Sequence, residues 1–595
     1  MAAKSLVMRV ERVFLLLGLS ALMGCTSPAP IPRERPLAPS PISASPAALI
    51  APSATPSPRP REIIGIPRKT PTETVSTPPV PVPSSPTPAQ SSPIPERATE
   101  SAPISSLALS LPGPAKPKAA GNQQLAALLA QARETRMAAH WRKAGEKALL
   151  LELYQPAVEA FRKEAAIYRS KGILQAALAQ EARANQYSTE LSLYLSQSAV
   201  SARRRERLEP EAGCYVGAFI DRDDNLKQFV EASQTHGDVD QFNSLVGKDH
   251  ASFFMYRSYG QPFPRQWAEY LKARDAIVHI AWEPGDLSAV RDDDYLREFV
   301  DELVALDHPV MLRFASEMNG EWTAYHGNPA AYKKAFRLVY QATRRAPKAA
   351  MMWCPNTIPR QGLEDYYPGD DAVDWVGVNF YSVPFLDNDP SRPGEKIHPT
   401  DHLQAVYDLY SARKPIAIGE WAASRQTKVK TDPVTEFAKI KISQLYGTLP
   451  TRYPRVKMVN WYDSNNLLEA SPSRQLNNYQ VTSPPDLLAH YRKAVSSPYY
   501  LGAGETSSPI AYRPIFGRTK IGADTSLRLS LKSYEQRPKV YFRVNGSLVL
   551  ATAEALDWRL PAQSWSPGKN VVEVLVYDRK DRFVAQAKAV LDLPK

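Results

Sequence analysis

The stretch "PVMLRFASEMNGEW", Pro309 to Trp322, decides the reading of the fold. Its first half is a short, largely apolar run behind a proline, too short for a helix and without helical spacing, so it reads as a buried strand. Its second half is polar, and a carboxylate, Glu317, stands where the strand leaves the core. "KPIAIGEWAA", Lys414 to Ala423, repeats the arrangement, with Glu420 at the end of an apolar run and Trp421 beside it.

Six further runs of the same kind surround these two: "CYVGAFI" (214–220), "SFFMYRS" (252–258), "AIVHIAW" (276–282), "AAMMWCP" (349–355), "DWVGVNF" (374–380) and "VKMVNWY" (456–462). Amphipathic helical stretches lie between them, among them Asp294–Leu306, Pro329–Arg345 and Thr431–Tyr446. Eight near-continuously apolar strands alternating with helices predict a (β/α)8 barrel, a TIM barrel, over residues 206–500. An open doubly wound sheet would carry a glycine-rich phosphate loop after its first strand, and "AFIDRDD" has none.

Barrels of this kind place reactive side chains at the C-terminal ends of the strands. That rule puts Glu317 at the end of strand four and Glu420 at the end of strand seven. Trp282-Glu283 end strand three, Tyr381 follows strand six, and Trp461-Tyr462-Asp463 close strand eight. Two carboxylates facing each other beside aromatic rings suit glycoside cleavage: one protonates the leaving oxygen, the other attacks the anomeric carbon. The pair needs opposite protonation states, so apolar surroundings are expected around the acid, Glu317. Glu283 is a third candidate that can equally cap a turn. His279, mid-strand, reads as a core residue, and Asp221 as a pocket residue or a helix cap.

The flanking segments differ in composition. Lys4, Arg9 and Arg12 precede the apolar run Val13–Met23, which has signal-peptide length and ends in "LMGC", Leu22–Cys25. That ending resembles a bacterial lipobox, which implies cleavage before Cys25, lipidation of its thiol, and an exported protein tethered to the cell envelope. Residues 26–118 hold 25 of the chain's 54 prolines and read as a disordered linker. In extended form it spans roughly 200 Å or more. Residues 119–205 read as helices with tetratricopeptide-like hairpins, a bracing bundle or a surface for a protein partner. Residues 501–595 alternate in the strand manner between "NG" and "SPGKN" turns and predict an antiparallel, immunoglobulin-like β-sandwich.

The formal charge of +12 is dispersed, without a dense basic block, and gives no support for nucleic acid as a partner. Cys214 and Cys354 are expected as buried free thiols, and no Cys-x-x-Cys or His-Glu-x-x-His motif supports a metal. The two-carboxylate chemistry calls for no cofactor.

"RFASEMNGEW" resembles the acid/base motif of glycoside hydrolase family 26, the β-mannanase family within the clan of four/seven barrels, which reads roughly Arg-Pro-x-His-Glu-Met-Asn-Gly-x-Trp. Arg313, Glu317, Met318, Asn319, Gly320 and Trp322 match it in order and spacing. The resemblance implies a retaining hydrolase of β-1,4-mannan type, with Glu317 as acid/base, Glu420 as nucleophile and Tyr381 hydrogen-bonded to Glu420. It also implies Arg313, Ser316, Asn319, Trp322, Trp282, Tyr381 and Trp461 as substrate-binding residues. Ser316 departs from the family's His, which leaves other readings open: a hydrolase of a β-glucan or exopolysaccharide, or a weakly active or non-catalytic carbohydrate-binding scaffold.

Overall fold

The computed structural model describes residues 119–198, 205–231, 234–430, 432–553 and 555–595. The signal-peptide, lipobox and linker readings (1–25 and 26–118) lie outside the described residues.

Eight parallel strands form the centre: β1 (Cys214–Arg222), β2 (Ser252–Ser258), β3 (Ile277–Glu283), β4 (Val310–Phe314), β5 (Ala349–Trp353), β6 (Trp375–Asn379), β7 (Ile416–Trp421) and β8 (Val456–Ser464). Each pairs with the next, and β8 pairs back onto β1 through Met458↔Tyr215 to Ser464↔Arg222, so the sheet closes. This is the expected (β/α)8 barrel. The helix Asp294–Leu306 falls where its apolar spacing predicts, capped by the Asp293 carboxylate on the Leu296 N–H. The seventh-strand helix is shifted: it runs Thr435–Arg452 instead of Thr431–Tyr446. Pro433 disfavours helical backbone in the residue before it, which moves the start downstream.

Residue parity along each strand sorts the side chains. On β7, Glu420 turns toward the barrel mouth while Trp421 packs outward against Tyr446 of the covering helix. The same alternation sends Trp282 and Trp461 outward and Glu283 and Tyr462 inward.

Ahead of the barrel, four helices pack as successive hairpins: α1 (Ala119–Thr135), α2 (Ala138–Leu150), α3 (Tyr154–Ser170) and α4 (Leu174–Tyr187). Ala148, Ala157, Val158 and Phe161 form one core between them. The helical reading fails beyond Tyr187. Residues Glu190–Ser198 are a strand, paired antiparallel with Leu527–Lys532 and, on its other edge, with Ile510–Pro514. Leu527–Lys532 in turn pairs with Arg559–Leu560. A second sheet, in the order 518–520, 583–593, 568–577, 539–544, 547–552, faces this one. Leu193, Leu195 and Leu529 from the first sheet meet Phe542, Val574 and Leu591 from the second, which makes the sandwich core. One of the sandwich strands therefore precedes the barrel, and the barrel is inserted between that strand and the rest.

The strand Leu527–Lys532 is buried on both faces. Its leucines enter the sandwich core, while Arg528 donates to the Gly447 carbonyl at 2.9 Å and Lys532 pairs with Asp401, both on barrel helices. The helical hairpins reach the sandwich too, through Tyr154 stacked on Tyr534 and Glu152 bonded to Lys580 and Arg582.

Candidate active site

Strand β4 delivers Glu317 through an unusual backbone. Ala315 (φ 48°) and Glu317 (φ 58°) both occupy the left-handed region, which costs a side-chain-bearing residue about 1–2 kcal/mol. The bend is fixed by hydrogen bonds from the Ala315 N–H to the Trp282 carbonyl and from the Glu317 N–H to the Cys354 carbonyl, at 3.0 and 2.8 Å. The Gly320 N–H then closes back on the Glu317 carbonyl at 2.8 Å. A Cβ at Gly320 would lie 2.3 Å from the Trp322 ring, so this glycine makes room for Trp322 to fold over Glu317. Trp322, half exposed, donates its indole N–H to Glu317 Oε2 at 2.7 Å. Glu317 Oε1 accepts from Asn356 (3.1 Å) and Asn379 (2.9 Å). The expected apolar surroundings of Glu317 are thus absent: three N–H donors surround it, because the strand-five and strand-six ends carry asparagines.

Glu420 is nearly buried and accepts from three donors. Tyr256 and Arg313 reach Oε1 at 2.5 and 2.6 Å, and Tyr381 reaches Oε2 at 2.5 Å. Burial, and next the Glu420 charge, push both tyrosine hydroxyls well above their ordinary pKa, so they stay protonated donors. Arg313 is fully buried beneath the site, with Nη1 3.5 Å from Asn379 Oδ1. The two catalytic candidates are therefore joined through Glu317–Asn379–Arg313–Glu420. A Cβ at Gly419 would lie 2.6 Å from Asn379 Oδ1 and 2.7 Å from Cys354 Sγ, so a glycine before the nucleophile candidate leaves room for this network. Cys354 and Cys214 are buried free thiols.

Glu283 does not cap a turn. Its oxygens accept from the Ser316 N–H (3.0 Å), Ser316 Oγ (2.5 Å) and the Tyr325 hydroxyl (2.7 Å). Burial raises its pKa, only partly opposed by Arg313 and these donors. The serine that stands in the place of the family's His is thus bound to a strand-three carboxylate. Asp221 accepts from His236 and the Gly237 N–H, and His279 lies buried in the barrel, where burial and Arg313 keep it neutral.

Glu317, Glu420, Ser316, Trp322 and Tyr381 line one groove of about 660 Å³, with Tyr256, Tyr325, Tyr462 and Tyr479 as its aromatic walls. Four residues expected to bind substrate lie elsewhere. Trp282 has no exposed surface, stacks on Phe299 at 4.0 Å and faces the helical layer. Trp461 is equally buried, donates to the Tyr479 carbonyl and packs on Trp421 and Tyr491; its neighbour Tyr462 takes the groove position. Both readings miss by one residue of strand parity. Arg313 lies under Glu420 rather than in the groove, and Asn319 braces the loop behind Glu317 by donating to the carbonyls of Asn356 and Pro359. Sequence reasoning missed Tyr256, Asn356 and Asn379. The signal for Tyr256 and Asn379 was their position near the C-terminal ends of β2 and β6, and for Asn356 its place just after β5.

A closed (β/α)8 barrel thus carries glutamates at the ends of strands four and seven, both lining one groove. Residues 283–395 match the family model "Glycosyl hydrolase family 26". That match lies within the barrel, from the end of β3 to the loop after β6. Over 187 residues it is 29% identical to a β-1,3-xylanase of an Alcaligenes species and to one of a Vibrio species. The match takes in 30% of this chain and 39% and 40% of those relatives, so the chain spans about two-fifths of their length. Among solved structures, an endo-β-1,4-mannanase double mutant of Cellulomonas fimi aligns over 64% of this chain and 94% of its own, at 15% identity and a TM-score of 0.34. A family 26 β-mannanase of Bacteroides ovatus aligns over 50% and 92%, at 15% identity and a TM-score of 0.35.

Proposed function

We propose that the barrel is a retaining glycoside hydrolase acting on a β-linked polysaccharide. The observation that carries this reading is the placement of Glu317 and Glu420 in one groove, linked by Asn379 and Arg313. In the first step a Glu420 oxygen attacks the anomeric carbon and the glycosidic C–O bond breaks. Glu317 gives its proton to the departing oxygen, with Trp322, Asn356 and Asn379 ready to donate to the carboxylate left behind. In the second step Glu317 takes a proton from water, the water oxygen bonds to the anomeric carbon, and Glu420 leaves as a carboxylate.

The strand-four motif favours β-1,4-mannan; the names of the two relatives favour β-1,3-xylan. With its Oγ on Glu283, Ser316 replaces a titratable ring by a short hydroxyl already engaged, which supports a substrate other than plain mannan. The lipobox and linker support a hydrolase tethered to the bacterial cell envelope by lipid on Cys25, and the helical hairpins offer a surface for a protein partner. The test is reducing-sugar release by the full chain on mannans, xylans of both linkages, β-glucans and bacterial exopolysaccharides. Glu420→Ala and Glu317→Ala serve as controls. Release from one polymer, reduced at least a hundredfold in both variants, is the expected result. Full activity in either variant removes that glutamate from the mechanism, and polymer binding without cleavage favours the scaffold reading.

A further inference from the structure

Two arginines stand in the catalytic groove without an acidic partner. Arg222, at the end of β1, and Arg474, in the loop after β8, line the groove that holds Glu317 and Glu420. Neither forms a salt bridge among the described residues. Arg222 Nη1 instead donates to the Tyr462 hydroxyl at 3.2 Å. Tyr462 meets Tyr381 edge to face, ring centroids 5.6 Å apart, and Tyr381 carries the hydrogen bond to Glu420. Arg222 therefore lies two rings from the nucleophile. Arg222, Arg474, Tyr462 and Glu420 all line this one groove.

The nearby carboxylates take their hydrogen bonds from other groups, Glu317 from Trp322, Asn356 and Asn379. Glu420 has Arg313, Glu283 has Ser316 and Tyr325, and Asp221 has His236 and the Gly237 N–H. Arg222 and Arg474 thus line the groove with no direct contact to a carboxylate among the described residues, Arg474 exposed and Arg222 half-buried. Unlike Lys, Arg presents a planar fork that matches a carboxylate. In the mechanism proposed above the leaving group departs toward Glu317, while Tyr462, packed on the Tyr381 that bonds Glu420, belongs to the nucleophile side.

We propose that Arg222 and Arg474 form an anion subsite on the nucleophile side of the groove, and that the substrate is an acidic β-linked polysaccharide whose sugar there carries a carboxylate. This inference rests on the groove being the glycosidase site proposed above, and it names the substrate class.

The test titrates the full chain with β-1,4-linked glucuronate oligosaccharides and with the same oligosaccharides after carboxyl reduction, at low and moderate salt. The carboxylate form is expected to bind at least tenfold more tightly, with the preference shrinking as salt rises. Arg222→Gln and Arg474→Gln should each remove most of that preference, while Arg518→Gln, on the sandwich, leaves it intact. No preference between the two forms, or a preference that survives the double variant, overturns the subsite. Cleavage of neutral polymers without a carboxylate preference would overturn it and leave the glycosidase reading standing. Arginine-dependent binding of the acid form without cleavage of any polymer would keep the subsite and remove the glycosidase reading.

Discussion

Arg313 of β4 and Glu420 of β7 meet at 2.6 Å, the guanidinium fully buried and the carboxylate nearly so. Phe254 lies against the guanidinium, 4.9 Å from its ring centroid, and leaves it no water to face. Removing one partner of such a pair strands the other charge, at a cost of about 3–5 kcal/mol. Arg313→Met should therefore lower unfolding free energy by about that amount in denaturant titration. Because Arg313 lies beneath the groove, kcat should fall while KM stays near its wild-type value. A fall confined to KM would place Arg313 in substrate contact instead.

Gly320 and Trp322 make a sharper case. The glycine has ordinary negative φ, so only space is at issue: an added Cβ would lie 2.3 Å from the Trp322 ring. Gly320→Ala should push Trp322 off Glu317, and its kinetic defect should resemble that of Trp322→Ala. The double variant should then be little worse than either single one, as expected of residues acting as a unit. Fully multiplicative defects would separate the two roles.

Ser316→Ala removes the Oγ bond to Glu283 but keeps the backbone N–H bond and the Tyr325 bond to that carboxylate. A loss of about 1–2 kcal/mol is expected, near the usual value for one hydrogen bond. It should be read as a drop in melting temperature of the full chain, and Ser316→His should be less stable still, since the ring must displace the Glu283 contact.

Much of this arrangement was readable beforehand, and the exceptions share a cause. All eight barrel strands fall within two residues of their expected places, because buried parallel strands are marked by continuous apolar runs. Such runs hide which side chains face inward, and that is where Trp282 and Trp461 were misplaced. Glu190–Ser198 shows the opposite fault. Its leucines at 191, 193 and 195 alternate in strand fashion, but its pairing partner, Leu527–Lys532, lies more than 300 residues downstream, and no local signal points there. Asn379 and Asn356 act only through the meeting of three strand ends, which spacing along the chain does not disclose.

Asp463 supplies a pH test. It ends β8 fully buried beside Asp223, which is also fully buried and accepts from Asn225, Gln480 and Thr482. Burial, and next the Asp223 charge, raise the Asp463 pKa well above 3.8. The native state thus holds this proton more tightly than the unfolded chain does. Stability from Asp463 is fully present below the unfolded value and is lost as pH rises through the folded one. Asp463→Asn fixes the neutral form, and its amide oxygen can still accept the Val481 N–H. In paired thermal melts, the variant minus wild-type difference in melting temperature should grow as pH increases from about 4 and level off above the folded pKa. A difference that stays constant with pH would mean that Asp463 is ionised in the folded protein across this range.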